Sequence, residues 1–289
     1  MKKYKLSFLS CILMLALALS FAVEASAAMP SGQVDTVKIM NIIEMNYTPG
    51  GDPTRLVGKV AESFVGTPAE EVTMEDATGN LNMRTDAFDD MSFLNTVVAL
   101  ARLSTSPGHK RINEYADELR NITYRRGNED GFASKMVYVS DWIVDNKSRN
   151  NVTELTENYS DQFRTKSLEK VTRERSRYAA LKDSAAYEAQ KMVEMGYRTH
   201  KIPHLKREYA AYKDVKDNLK DGDIVIILSP EPTTDALEIG VLREREDGFH
   251  LIHPSKTEGK VVEEPEVLDR YLKRNAKRTY GWRWLRLKQ

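Results

Sequence analysis

The order of two apolar spacings along the chain is the strongest constraint on its fold. In the first half, apolar residues recur every three to four positions, the spacing of helices that bury one face. This spacing occurs at residues 37–45, 54–64 and 112–122. In the last third, aliphatic or alternating runs typical of strands occur at residues 224–229, 249–255 and 280–287. Because helices come first and strands last, the sequence predicts an α+β fold with an antiparallel sheet.

Three further segments give local predictions. Residues 148–197 are highly charged and predict solvated helices. Pro265 and the apolar residues after it predict a short helix at 265–273. Residues 280–287 alternate beside Arg283 and Arg286, which predicts a strand with one wet face, and a surface arginine patch for an anionic glycan is the alternative.

Residues 1–27 have the pattern of a secretory signal peptide. Three lysines precede an apolar run at residues 6–23, and Ala25-Ser26-Ala27 follows as a cleavage motif. An uncleaved membrane anchor is the alternative, but the small residues that end the apolar run favour cleavage. The sequence therefore predicts a signal peptide at 1–27 and a single domain at 28–289. We expect a periplasmic or extracellular protein with no membrane segment after cleavage.

The chain has a single cysteine, Cys11, which lies inside the predicted signal peptide. The mature protein would then have no thiol, no disulfide and no cysteine-containing metal site. Cysteine hydrolases are excluded if the signal is removed. His200 and His204 have the spacing of a metal pair on a helix, but Pro203 would interrupt that helix. We predict neither a metal nor a cofactor.

The charge of the chain excludes one class of partner. Cleavage at Ala27 removes three lysines and one glutamate, which leaves 40 basic and 42 acidic residues. A nearly balanced, interspersed charge is not typical of nucleic-acid-binding proteins. We expect no nucleic-acid partner, and the sequence leaves the oligomeric state open.

The segment from Asp89 onward has the pattern of a helix N-terminus. Asp89, Asp90 and Ser92 precede an apolar run, and such side chains cap the free backbone N–H groups and face the positive end of the helix dipole. The same position suits a reactive group, because that field stabilises an anion such as a thiolate.

This segment resembles the N-acetylmuramoyl-L-alanine amidase-like family, a bacterial cell-wall group whose fold is papain-like, of the NlpC type. The family motif is Asp-Cys-x-Thr-Phe-Val-Glu followed by an apolar helix. The present chain has Asp89, Asp90, Ser92, Phe93, Leu94 and Asn95 at the corresponding positions. The resemblance implies that Asp90 stands where the family has its nucleophilic cysteine.

Three further segments carry the resemblance, which spans about residues 60–287. Residues 132–143 are similar to Tyr-Ala-Ser-Arg-Leu-His-Tyr-x-Ser-Asp-Trp-Ile. Residues 234–240 are similar to Leu-Asp-x-x-His-x-Gly, with Glu238 at the position of the catalytic histidine. Residues 249–255 are similar to Leu-x-His-Ala-Ser, so that His253 would be the residue that orients that histidine.

The resemblance therefore implies a site with Asp90, Glu238 and His253 at the catalytic positions. The matching polar and aromatic residues predicted to bind substrate are Tyr138, Asp141, Trp142, Asp235 and Ser255. Tyr138 and Trp142 could stack on a sugar or peptide, although filling the core is the alternative for both. The three catalytic positions are expected to converge to roughly 3–6 Å between polar atoms. We also expect a Glu238–His253 ion pair and one carboxyl with a raised pKa.

The family resemblance implies cleavage of peptidoglycan at an amide in or near the stem peptide. That chemistry needs a cysteine thiolate and a histidine base, and neither position matches here. The resulting prediction is a catalytically inactive homologue that binds murein fragments or a partner protein. One alternative is a cell-wall hydrolase that uses the Asp90 and Glu238 carboxylates or a metal. Another is a structural protein without a ligand.

Overall fold

Helices dominate the first part of the described chain and strands the last part, so the predicted α+β class is confirmed. The computed structural model of the protein describes residues 34–71 and 79–288. The predicted signal peptide, its cleavage site and the domain start at residue 28 lie outside the described residues.

The helices are bounded as follows: α1 Thr36–Met45, α2 Pro53–Glu62, α3 Asp90–Thr105, α4 Ile112–Thr123, α5 Val139–Ser148, α6 Lys170–Arg173, α7 Ser184–Gly196, α8 Lys213–Lys216 and α9 Leu268–Arg274. The strands are β1 Val152–Glu154, β2 Phe163–Lys166, β3 His200–Pro203, β4 Ile224–Leu228, β5 Ala236–Arg245, β6 Gly248–Ser255, β7 Lys260–Val267 and β8 Trp282–Leu287. Among the described residues, no helix has both the length and the apolar character needed to cross a membrane.

Six strands form one antiparallel sheet in the order β1-β8-β4-β5-β6-β7. Strands β2 and β3 pair with each other in a separate two-stranded sheet. The register of the large sheet places Val241 opposite Ile252 and Leu242 opposite Leu251. Because side chains alternate across a strand, these two pairs lie on opposite faces of the sheet.

Each face of the sheet packs against its own apolar cluster. Helix α3 lies in the larger cluster, where its Leu94 and Val97 join Ile239 and Val241 of β5. The other face is covered by a second cluster that includes Tyr271 of α9. Ile239 and Tyr271 therefore mark the two sides of the sheet, and α3 lies on the Ile239 side.

One strand prediction and one helix prediction need correction. Residues 280–287 were expected to form a strand with one wet face, with a surface arginine patch as the alternative. Strand β8 instead lies between β1 and β4, and the Arg283 side chain is buried with both faces of the sheet covered. A helix was also expected at 265–273, but Pro265 belongs to β7 and α9 starts at Leu268. Proline fits there because β7 is an edge strand, where a missing N–H leaves no ladder bond unmade.

The segment from 148 to 197 was expected to form solvated helices and does so only in part. It contains strands β1 and β2 before the longer helix α7. These strands were not predicted because β1 is only three residues long and β2 exposes three of its four residues, so neither has a run of buried apolar residues.

Candidate functional site

A cavity of about 490 Å³ opens beside the N-terminus of α3. Its walls come from the start of α3, the segment before α5, helix α6 and the start of β5. The polar and aromatic residues that line it include Glu70, Glu71, Arg84, Asp89, Asp90, Asn95, Lys135, Tyr138, Lys170, Arg177, Tyr178, Asp235 and Lys256.

Asp90 is the first residue of α3, and its neighbours leave its carboxyl free to face β5. The cap itself is Asp89, whose Oδ1 accepts from the Ser92 N–H at 2.7 Å while the Ser92 Oγ accepts from the Asp89 N–H at 2.9 Å. This reciprocal capping box satisfies the helix end. Asp90 Oδ1 instead accepts a hydrogen bond of 3.2 Å from the backbone N–H of Ile239.

The environment of Asp90 favours the protonated carboxyl. Burial raises its pKa to about 7, and the negative charge of Asp89 acts in the same direction. The positive charges of Lys256 and His253 and the Ile239 N–H oppose the shift without cancelling it. The expected raised carboxyl pKa is therefore present, but desolvation causes it rather than a second carboxylate at Glu238.

Glu238 does not line the cavity. Its Oε2 accepts from the Tyr271 hydroxyl at 2.6 Å and its Oε1 from Arg278 at 3.4 Å. Tyr271 belongs to the cluster on the far face of the sheet, so the Glu238 side chain lies across the sheet from α3. The adjacent residue, Ile239, is the one whose backbone reaches Asp90.

His253 lies on the same far face as Glu238 and also does not line the cavity. Its Nε2 is 3.0 Å from Oε1 of Glu264, and its ring makes an edge contact with Tyr271 at 5.8 Å. The expected convergence of Asp90, Glu238 and His253 is therefore wrong, as is the Glu238–His253 ion pair. The physical reason is the alternation of side chains along β5 and β6.

Trp142, Asp141 and Ser255 also lie outside the cavity lining. Trp142 is 0% exposed, and its indole N–H donates to Asn95 Oδ1 at 2.8 Å, so the core alternative holds for this residue. Asp141 is buried, pairs with Arg125 and accepts from the Tyr197 hydroxyl. Ser255 is buried at the end of β6, where its hydroxyl accepts from the Glu258 N–H of the following turn.

Tyr138 and Asp235 do line the cavity, but their polar atoms are engaged. The Tyr138 hydroxyl donates to Glu194 at 2.7 Å and accepts from the Val171 N–H at 3.0 Å. Asp235 Oδ2 accepts from the Ser140 N–H at 2.6 Å, near the start of α5. Tyr138 could thus offer a ligand only its ring, and Asp235 acts as a cap for α5.

The comparisons with known proteins identify the family. A model of the AmiA-like family, described as N-acetylmuramoyl-L-alanine amidase-like, matches residues 59–279. The chain belongs to this family. A search of curated proteins found no match to this amidase-like protein.

Several solved structures share the fold of this chain. An N-acetylmuramoyl-L-alanine amidase from Bacteroides uniformis is 25% identical, with a TM-score of 0.72 over 83% of this chain and 100% of that chain. A structure from Bacteroides fragilis named "putative xylanase" is 28% identical, with a TM-score of 0.69 over 79% of this chain and 99% of that one. A Legionella pneumophila protein at 14% identity shares the fold, with a TM-score of 0.64 over 88% and 94% of the two chains.

The sequence reasoning missed a buried lysine that holds the loop before Asp235 in the amidase-like protein. Lys166 on β2 is 3% exposed, and its Nζ donates to the backbone carbonyls of Ser229, Glu231 and Thr234. Burial lowers its pKa to about 8. Lys166 therefore fixes the loop that delivers Asp235 to the cavity wall. A lone lysine in a polar segment gives no signal of this role.

The described cavity lining offers carboxyl, amide, ammonium and aromatic groups, but no imidazole and no thiol. Among the described residues, no group of three histidine, aspartate, glutamate or cysteine side chains is arranged to hold a metal ion. His200 and His204 lie in and just after strand β3, so about four residues of extended chain separate them. The chemistry of the cavity therefore centres on the Asp90 carboxyl.

Proposed function

We propose that this amidase-like protein is an exported, catalytically inactive homologue that binds peptidoglycan fragments in the cavity beside Asp90. We also propose that its fold is of the papain-like, NlpC type. The main support for the proposal is the residue at the start of α3, where Asp90 replaces the cysteine that the family resemblance implies. A carboxyl stands there where the family resemblance places a thiol, and no histidine is among the described cavity-lining residues.

The missing groups matter because the nucleophile and the base act as a unit. A carboxylate is a poor nucleophile toward an amide, and the cavity lacks the imidazole that activates the nucleophile and protonates the leaving amine in the family's chemistry. Loss of either partner is expected to lower the rate by several orders of magnitude. The cavity, by contrast, is large enough to hold a small peptide or sugar.

Export is part of the proposal and has its own test. If the signal peptide is removed near Ala27, the mature protein contains no cysteine. Intact-mass analysis should then show a chain that starts near Ala28 and gains no mass on treatment with iodoacetamide. A carbamidomethyl adduct would mean that Cys11 and the leader are retained.

The binding proposal is tested on purified peptidoglycan sacculi. We expect the protein to sediment with sacculi and to release neither free amines nor reducing ends. A cavity-filling variant, Ala69→Trp, should reduce retention because Ala69 lines the cavity. The matched control is Ala211→Trp, which adds the same side chain at an exposed position outside the cavity. Equal retention of both variants and the wild type would argue against binding in this cavity.

A carboxylate-based hydrolase is the second candidate, and the pKa of Asp90 is the observation that favours it. A carboxyl with a pKa of about 7 can serve as a general acid or base at neutral pH. New reducing ends from sacculi would indicate glycosidase chemistry, and free amines would indicate amidase chemistry. Loss of such activity with EDTA would indicate a metal. Release of none of these products excludes the hydrolase.

A further inference from the structure

We propose that the ligand presents a carboxylate to Asn95 and Asp90, and that Asp90 carries a proton in the complex, so that binding takes up one proton. This inference rests on the proposed binding function and names the chemical group that the cavity recognises. The supporting observation is that two polar groups at the cavity, Asn95 Nδ2 and Asp90 Oδ2, have no hydrogen-bond partner among the described residues.

Asn95 supplies the first unused donor. Its side chain is 5% exposed and lines the cavity floor, where Oδ1 accepts from the Trp142 indole N–H at 2.8 Å. An indole N–H can only donate, so this contact fixes which end of the amide faces Trp142. The Nδ2 group, with two N–H donors, must point away from the indole. No acceptor for Nδ2 is found in the described part of the chain, so its two N–H groups are available to a ligand in the cavity.

Asp90 supplies the second group. Its Oδ1 is occupied by the Ile239 N–H, whereas Oδ2 has no hydrogen-bond partner in the ranges 34–71 and 79–288. Because burial raises the pKa of Asp90 to about 7, its protonated form is well populated just below neutral pH and presents an O–H donor at this oxygen. Asn95 and protonated Asp90 therefore both offer donors to the cavity, and a ligand group that only accepts hydrogen bonds would match them.

The charges around the cavity favour an anion at this place. The acidic side chains at the rim are paired: Glu70 with Arg84, and Glu71 with Arg177. Asp235 is satisfied by backbone N–H groups. Lys170 and Lys256 line the cavity and have neither an ion pair nor a hydrogen bond among the described residues. The groups left available to a ligand are therefore ammonium groups and hydrogen-bond donors, which suit a carboxylate.

Proton uptake follows from the charge on the ligand. The charged groups nearest Asp90 on the cavity side are Asp89 on its own helix and Lys256 just after β6, and His253 acts on it only from across the sheet. A ligand carboxylate against an ionised Asp90 would add a second repulsive anion, whereas a proton held between them makes a strong hydrogen bond. Bound ligand should therefore hold Asp90 protonated, and binding should weaken as pH rises through about 7.

The probe is the stem peptide L-alanyl-γ-D-glutamyl-L-lysine, which carries free carboxylates, compared with the same peptide amidated at both carboxyl groups. Calorimetry at pH 6 and pH 8 should show about tenfold weaker binding of the free-acid peptide at the higher pH. Titrations in buffers of different ionisation enthalpy should show proton uptake at pH 7.5. The amidated peptide should bind at least about tenfold more weakly than the free acid at pH 6.

Two variants separate this role from a purely structural one. Asp90→Asn stays neutral at every pH and keeps an oxygen for the Ile239 N–H, so binding should persist and lose its pH dependence. Asn95→Asp keeps the acceptor for Trp142 but removes the donor, and affinity should fall at least about tenfold. Lys256→Met should weaken binding, whereas Lys213→Met, which changes an exposed lysine paired with Asp217, should not.

The outcomes distinguish this inference from the proposed function. Retention on sacculi with equal, pH-independent affinity for both peptides would overturn the carboxylate contact and leave the binding function standing. Absence of binding to sacculi and to both peptides, with a folded protein by circular dichroism, would overturn the binding function itself. Retained pH dependence in Asp90→Asn would assign the proton to another group and overturn the role of Asp90.

Discussion

The backbone N–H of Ile239 donates a hydrogen bond of 3.2 Å to Oδ1 of Asp90, which joins residues 149 positions apart. This contact ties the N-terminus of α3 to β5 at the cavity. It also fixes the phase of β5 against the helix. Because Ile239 lies on the α3 side, the side chain of Glu238 must lie on the far side, where Tyr271 and Arg278 bind it.

The carboxyl of Asp90 should make stability depend on pH. Its pKa is raised from 3.8 to about 7 in the folded state, so its stabilising contribution is complete below about pH 4 and is lost as pH rises to about 7. Asp90→Asn cannot ionise and should be more stable than the wild type at pH 8, by about 1–3 kcal/mol after allowance for cavity water. Urea unfolding at pH 4.5 and pH 8 measures this difference, which should shrink at the lower pH.

Restoring the family residues at two positions should not restore amidase activity. In Asp90→Cys with Glu238→His, the new imidazole would lie beside Tyr271 on the far face of the sheet, away from the thiol. A muropeptide assay for released amines should show no activity above that of Asp90→Cys alone. A control with Val137→His in place of Glu238→His puts the imidazole at a cavity-lining position. Activity in the Glu238→His double variant would show that β5 has a different phase in solution.

Asp235 should contribute to stability through the start of α5. Its buried carboxylate accepts from the Ser140 N–H at 2.6 Å, in place of a cap from Tyr138. Asp235→Ala should lower the free energy of unfolding by about 2–3 kcal/mol, because a cap is lost and a buried N–H is left unpaired. Asp214→Ala, at an exposed position, is the matched control and should change it by less than about 0.5 kcal/mol. Equal effects of the two substitutions in urea unfolding would contradict the capping role.

The buried pair of Arg283 and Glu154 offers a double-variant test. Its two hydrogen bonds measure 2.7 and 3.0 Å, and both side chains are almost fully buried. Arg283→Met should destabilise by about 3–5 kcal/mol because it leaves Glu154 buried without its counter-charge. Adding Glu154→Leu should recover much of that loss. A double variant as unstable as the single one would show that the packing volume of Arg283, not its charge, matters.

Local sequence signals predicted the helical part of the site well. Asp89 and Ser92 form the capping box that their types and spacing predict, and α3 begins at Asp90. These features depend on interactions within one turn, so nearby residues suffice to determine them. The same is true of the apolar spacing that predicted α1, α2 and α4.

The sequence could not predict which side of β5 faces the helix. A shift of one residue moves every side chain of a strand to the opposite face. The motif at 234–240 does not show which alternate residues of β5 face the helix. The central place of β8 and the role of Lys166 depend on partners that are far away along the chain, such as Trp282 with Ile227 and Lys166 with Ser229.

The sequence by itself determined the α+β class, the helix that starts at Asp90 and the absence of cysteine after the predicted leader. Only the tertiary structure decided which polar groups meet. It placed Asp90 against Ile239, Glu238 against Tyr271, and His253 against Glu264. The reason is physical. Helix caps and apolar periods are set by neighbours along the chain, whereas a site is set by the packing of helix against sheet. Here that packing places the Asp90 carboxyl at the cavity and the Glu238 side chain on the opposite face of the sheet.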